Sequence, residues 1–151
     1  MDRNRVAILK YNPALDAELK DYSPITLNPN SFTIIDSLLL KCINKYNPIG
    51  LKDWEDFIRR NPDANISEKG FVIDPKRKYL RQYIPLINNQ NDTIVWVNFF
   101  CEKGYSKEDF ELLNWKQNVV YVMDGGSCYF NLKINLTKRI YYELEVNDIG
   151  Y

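Results

Sequence analysis

Apolar and polar positions follow two different periods along this chain, and the change of period divides it. From Ser31 to Tyr46 the apolar residues Ile34, Ile35, Leu38, Leu39, Cys42, Ile43 and Tyr46 recur at steps of three and four, the spacing of one helical face. Asn30 or Ser31 can cap this helix. Asn47-Pro48 followed by Gly50 is expected to end it, since proline disfavours a helical residue before it. A second short helix or helical turn is predicted over Leu51 to Arg60, with Leu51, Trp54, Phe57 and Ile58 inward and Asn61-Pro62-Asp63 as its stop. Upstream, Arg5 to Lys20 reads as a short helical turn or an arm packed on the body.

Beyond residue 78 the period becomes two. Lys78 to Asn88 sets Leu80, Gln82, Ile84 and Leu86 against Tyr79, Arg81, Tyr83, Pro85 and Ile87. Pro85 cannot donate a ladder hydrogen bond, so this strand is expected at an edge or with a bulge. Asn88 to Asp92 is a turn by composition, and Thr93 to Cys101 is the most strand-prone run, completing a hairpin. Ser106 to Leu113 opens like a capping motif and predicts one or two helical turns. Asn118 to Leu136 reads as a second hairpin about Asp124-Gly125-Gly126-Ser127, its second arm alternating Cys128, Phe130, Leu132, Ile134 and Leu136 against Tyr129, Asn131, Lys133 and Asn135. Ile140 to Asn147 is the last strand, with Tyr142, Leu144 and Val146 on one side and Tyr141, Glu143 and Glu145 on the other. Ala64 to Lys76 is a loop, or a loop with one short strand about Phe71-Val72-Ile73.

These elements predict one α+β domain over residues 1–151: an N-terminal arm at 1–28, a helical part at 30–60, and a sheet at 78–147. The long helix packs on a curved antiparallel sheet of four to five strands, because sequential strands with short links are antiparallel neighbours. Composition agrees with a strand-rich body, being 14% aromatic with 11 Tyr, 7 Phe and 3 Trp. Twenty basic residues balance twenty acidic ones, and a net charge of zero gives no electrostatic argument for nucleic acid or an anionic membrane as partner. The apolar run Val6 to Leu9 is too short for a secretory leader core or a membrane span. The chain as written is therefore expected in the cytoplasm, or exported if a leader has been removed.

The runs Tyr79-Leu80-Arg81-Gln82-Tyr83, Val95 to Cys101, Asp124 to Asn131 and Lys133 to Thr137 resemble small uncharacterised bacterial proteins best known from gut Bacteroidetes, often described as cystatin-like or nuclear-transport-factor-like. The resemblance covers about the last half of the chain, with a weaker echo at Tyr46-Asn47. It implies a helix held in a curved sheet and carries no assigned chemistry. Many members look like exported lipoproteins, whereas this chain shows no leader as written.

Candidate chemistry narrows by elimination. With no histidine, His-dependent triads, Cys-His pairs and His-ligated metals are absent. Cys42, Cys101 and Cys128 are scattered and odd in number, and are expected to be small buried hydrophobes rather than metal ligands or a disulfide framework. No phosphate or dinucleotide fingerprint occurs, so neither cofactor nor metal is expected. Asp53, Glu55 and Asp56, and again Glu108, Asp109 and Glu111, read as solvated helical faces.

What remains is the second sheet face, to which strand parity assigns Arg81, Tyr83, Trp96, Asn98, Tyr129, Asn131, Lys133 and Glu143. Aromatic, amide and arginine side chains favour recognition. The competing reading is that Tyr and Asn are simply tolerated on a half-exposed strand, or that this face lines a second core under the N-terminal arm. The leading expectation is a non-enzymatic binding module whose open sheet face meets a protein partner or its own copy, an inhibitor or immunity role included. The alternative is a small-molecule binder or carboxylate-based enzyme with a pocket between helix and sheet, anchored by Arg81, Glu143 or Asp124.

Overall fold

The computed structural model describes residues 3–11, 19–64, 66, 68–103 and 105–150. Its elements run β1 (Val6–Ile8), β2 (Ser23–Pro24), α1 (Ser31–Arg60), β3 (Leu80–Ile87), β4 (Thr93–Phe100), α2 (Lys107–Leu112), β5 (Phe130–Asn135) and β6 (Ile140–Val146). The fold is α+β, with one long helix against a six-stranded mixed sheet of order β1-β3-β4-β5-β6, in which β2 also pairs with β3. The sheet is neither four- to five-stranded nor wholly antiparallel. The N-terminal arm adds two strands, and β1 runs parallel to β3 with Val6 opposite Arg81 and Ile8 opposite Tyr83. Residues 12–18, which hold most of the helical turn expected there, lie outside the described residues.

Both strands of the arm explain Pro85. Its carbonyl accepts the Ile25 amide at 3.3 Å, so its missing N–H faces the same outer side, between the end of β1 and the end of β2. The proline thus sits where the ladder has a gap, and costs no sheet hydrogen bond.

Helix α1 does not stop at Pro48 but continues for 30 residues, about 45 Å at the usual rise. An internal proline costs about 3 kcal/mol, and tertiary contacts on either side offset it. The Asn47 amide donates to the Ile73 carbonyl at 2.8 Å and accepts the Ile73 N–H at 2.9 Å. One turn later Gly50 is buried, and a Cβ there would lie under 3.0 Å from the Phe71 carbonyl. The helix and the following loop therefore close on each other around the proline. At the start no side chain caps the helix; Asn28 instead accepts the Asn30 N–H at 2.9 Å.

The hairpin β3–β4 forms as the pattern indicates, with Leu80 opposite Phe100 and Ile87 opposite Thr93. Ser106 caps α2 by accepting the Asp109 N–H at 3.0 Å. The second hairpin does not form. β5 pairs with β4 on one side, Phe99 opposite Phe130, and with β6 on the other, while residues 118–122 make no strand. Gly125 and Gly126 do take positive φ, 90° and 58°, but they lead into a 3-10 turn packed on Gly70 rather than a hairpin turn.

Two cores result, one on each sheet face. Under α1 lie Tyr79, Tyr83, Val95, Val97, Phe99, Phe130, Leu132 and Ile134, with Ile35, Leu39, Cys42 and Ile43 of the helix. The Phe99 and Phe130 rings stack at 4.3 Å between centroids and 6°, and Tyr79 meets Phe130 edge-on at 5.2 Å. The opposite face packs Leu80, Ile84, Leu86, Ile94, Trp96 and Phe100 beneath Leu19, Trp115 and Val120.

Cys101 and Cys128 form a disulfide with Cα atoms 5.2 Å apart, which corrects the reading of the cysteines as three separate hydrophobes. They continue the β4–β5 register beyond Phe99 and Phe130, and close a loop spanning 27 positions. Chain entropy assigns such a closure about 3.5 kcal/mol. Cys42 is free and buried.

Candidate functional site

The far side of the sheet is where the sequence placed its recognition surface, and it is organised by a row of polar residues in register. Gln82 of β3 stands opposite Asn98 of β4, Asn98 opposite Asn131 of β5, and Asn131 opposite Glu145 of β6. Asn98 Nδ2 donates to Gln82 Oε1 at 3.0 Å and to the Val120 carbonyl at 2.8 Å. Gln82 Oε1 also accepts the Val120 N–H at 2.9 Å, and its Nε2 donates to the carbonyls of Trp115 and Asn118, each at 2.6 Å. Two side-chain amides thus bind the backbone of the 115–120 segment and lay it across the sheet. The face is not open at this point, because the chain covers it with its own connection between β4 and β5.

The eight candidate residues are divided by this arrangement. Trp96, Asn98, Tyr129, Asn131, Lys133 and Glu143 gather on the far side or at its margin. Trp96 Nε1 donates to Asn131 Oδ1 at 3.3 Å, and Asn131 donates on to Glu145 at 3.4 Å. Lys133, only 8% exposed, reaches Glu143 at 2.5 Å. The Tyr129 hydroxyl meets that of Tyr105 at 3.4 Å.

Arg81 and Tyr83 lie on the opposite face, under α1, because the β3–β4 register sets Arg81 against Phe99 and Tyr83 against Val97. Arg81 pairs with Asp36 at 2.9 Å and covers the Phe99 ring. Tyr83 is fully buried, and its hydroxyl finds no hydrogen-bond partner of normal geometry among the described residues. In β6 the side assignment changes midway. Glu143 takes φ 51° within a register shift, so Tyr141 joins Leu144 and Val146 toward α1. Gln82 carries the largest share of the polar bonding and was not singled out, although a glutamine in the apolar phase of Leu80, Ile84 and Leu86 is itself the signal of a buried, partnered amide.

A cleft of about 700 Å³ opens at the end of the sheet where β4 stops and β5 begins. Its walls carry Glu68, Arg77, Lys103, Asp124 and Cys128. Glu68 pairs with Arg77 at 3.0 Å and with Lys103. The hydrogen bond from Lys103, aided by Arg77, holds the Glu68 carboxyl below its ordinary range. Arg77 Nη1 turns to the disulfide, 3.1 Å from Cys128 Sγ and 3.6 Å from Cys101 Sγ.

The crevice between α1 and the sheet is about 120 Å³, bordered by Asp36, Arg81, Phe99 and Phe130. The three anchors considered for a helix-to-sheet pocket line three different clefts: Arg81 this one, Asp124 the large one, Glu143 a third beside Tyr46 and Tyr142. The acidic helical clusters are surface features, Asp56 pairing with Arg59 and Asp109 bonding Ser106. Among the described residues no group of three or more Cys, Asp or Glu converges as a metal site, and no helix is long and apolar enough to cross a membrane.

The chain matches no protein-family model, no curated protein and no solved structure. Its site must therefore be argued from its own geometry.

Ionisable groups predict an alkaline weakness. Burial pushes the Cys42 thiol up to about 11 and the Tyr79 phenol up to about 12. Burial also raises Tyr46, Tyr83, Tyr129 and Tyr142 above 10.0, with Tyr105 adding to Tyr129 and Tyr22 to Tyr142. All are neutral when protonated, so the unfolded chain loses these protons first, from the ordinary 9.0 of cysteine and 10.0 of tyrosine upward. Stability from them is complete below about pH 9 and is lost as pH rises through the folded-state values. Tm followed by circular dichroism should begin to fall above about pH 9, with the tyrosinate absorbance of these buried phenols appearing together with unfolding. Ionisation of all the tyrosines near 10 with no loss of structure would contradict it.

Proposed function

We propose that the chain is a non-enzymatic binding module on a helix-in-sheet body of the cystatin-like or nuclear-transport-factor-like kind, and that it meets a protein partner through the outer surface of the segment covering the far sheet face. The observation that carries this reading is the alternation along residues 120–123. Val120 is buried and Val122 half-buried against the second core, while Tyr121 is 64% and Met123 94% exposed. Leu112, on the same connection, is 81% exposed. Large apolar side chains brought to the surface by one connection are what a recognition patch offers, and Tyr and Met are favoured in such patches.

The filled interior weighs against a ligand pocket between the helix and the sheet. Ligand pockets commonly need several hundred Å³. The Phe99, Phe130 and Tyr79 rings occupy the place where a cone-shaped pocket would lie, leaving about 120 Å³. Asn98, first assigned to recognition, acts in this reading one layer deeper, where with Gln82 it holds the presenting segment in place. Balanced charge favours a protein over nucleic acid as partner.

Affinity capture tests this with the wild-type chain and a Tyr121→Glu, Met123→Glu variant as baits. A stoichiometric partner should be lost from the variant, its Kd rising about 30-fold or more for about 2 kcal/mol of lost contact, while Tm stays within about 2 °C. Identical capture by both baits, or none by either, would overturn the reading.

A further inference from the structure

We propose that Cys101–Cys128 is a reactive disulfide, and that the cleft beside it admits small thiols which exchange with it under the influence of Arg77. Three observations converge. First, the two cysteines are unequally placed: Cys128 lines the 700 Å³ cleft, whereas Cys101 is absent from its lining and 4% exposed. Second, one guanidinium nitrogen contacts both sulfurs, at 3.1 and 3.6 Å, while Glu68 holds the other nitrogen at 3.0 Å and so fixes the group's orientation. Third, the cleft is of small-molecule size, with a second cation, Lys103, at its wall.

The chemistry follows from that asymmetry. An incoming thiolate attacks Cys128 Sγ, the sulfur facing the cleft. A bond forms between its sulfur and Cys128 Sγ, the Cys128–Cys101 bond breaks, and its electron pair leaves on Cys101 Sγ as a thiolate, which then takes a proton from solvent. The thiol is thereby joined to Cys128 in a mixed disulfide. The reverse attack by Cys101 restores the original bond and expels the thiolate. A leaving thiol departs faster the lower its pKa, and a cation beside a sulfur lowers that pKa. Arg77 therefore assists by holding positive charge where the leaving thiolate develops and by drawing the incoming one. Cys42 takes no part, being buried on the inner face of α1 with its thiol pushed up to about 11.

Reduced glutathione is the probe, and intact mass spectrometry after alkylation is the readout. The wild-type chain should lose its disulfide through a single glutathione adduct that maps to Cys128. With oxidised glutathione as the probe for the single-cysteine variants, the free Cys128 of Cys101→Ser should attack it, form a stable mixed disulfide and release one reduced glutathione, and the free Cys101 of Cys128→Ser should do so at least tenfold more slowly. Arg77→Gln, which keeps both cysteines, should slow the first step about tenfold, with Arg77→Lys recovering part of the rate. In denaturant the wild-type and Arg77→Gln rates should converge, which a purely local sequence effect would not produce. If Cys101→Ser does not fold, the comparison of wild type with Arg77→Gln decides alone. Equal native rates for those two chains, or an adduct on Cys101 in the wild type, would overturn the proposal.

Discussion

Replacing Gln82 with leucine should destabilise the protein by about 4 kcal/mol, although the two side chains have similar volume. The substitution removes no apolar packing. It leaves the Val120 N–H and the carbonyls of Trp115 and Asn118 without the partners that Gln82 supplies, and it strips Asn98 of one acceptor. An unsatisfied buried polar group costs about 1 to 3 kcal/mol, and three backbone groups are affected at once. For a chain of this size such a loss lowers Tm by roughly 8 to 16 °C. Because the bonds hold one segment, the damage should be local first: limited proteolysis should cut between residues 102 and 127 before the rest. A loss under about 1 kcal/mol, with that segment still protected, would show that the amides are dispensable for seating it.

The second large effect belongs to the other core. Phe130→Ala should cost about 4 kcal/mol, because the ring is buried between Phe99 and Tyr79 in a part of the sheet closed by the disulfide. The surrounding structure cannot collapse into the space, since β4 and β5 are tied together immediately beyond it. Phe99→Ala should cost a similar amount, and the double substitution about 1 kcal/mol less than the sum, the share that belongs to the stacked pair itself. Urea unfolding of the four chains measures all three quantities. Strict additivity would mean that the rings act as independent volume rather than as a pair.

Much of the fold was legible where local signals and tertiary packing agree. The alternation of β3 and β4, the Asn88 to Asp92 turn and the Ser106 cap all depend on neighbours in sequence, and each stands where the pattern puts it. Helix α1 was read too short because proline is judged locally, whereas its tolerance at position 48 depends on Ile73 and Phe71, more than twenty residues away.

One misreading had several consequences. Taking Asn118 to Leu136 as a hairpin assigned β5 a false neighbour. The true neighbour is β4, and only that register, with Phe99 opposite Phe130, brings Cys101 to Cys128. The same error left the far face uncovered, since the supposed first arm is the segment that lies across it. Arg81 and Tyr83 were misassigned for a simpler reason: parity within one strand says nothing about which face meets the helix, and β3 carries large side chains on both.

Glu143 bends β6 at the rim of the sheet, and a neighbouring molecule would find there no straight run of free amides and carbonyls to copy. Two carboxylates, Glu143 and Glu145, stand along that same short rim and repel a second such strand brought beside it. The protein thus guards the exposed end of its sheet against growth from one molecule into the next. Growth by strand addition is disfavoured along this rim.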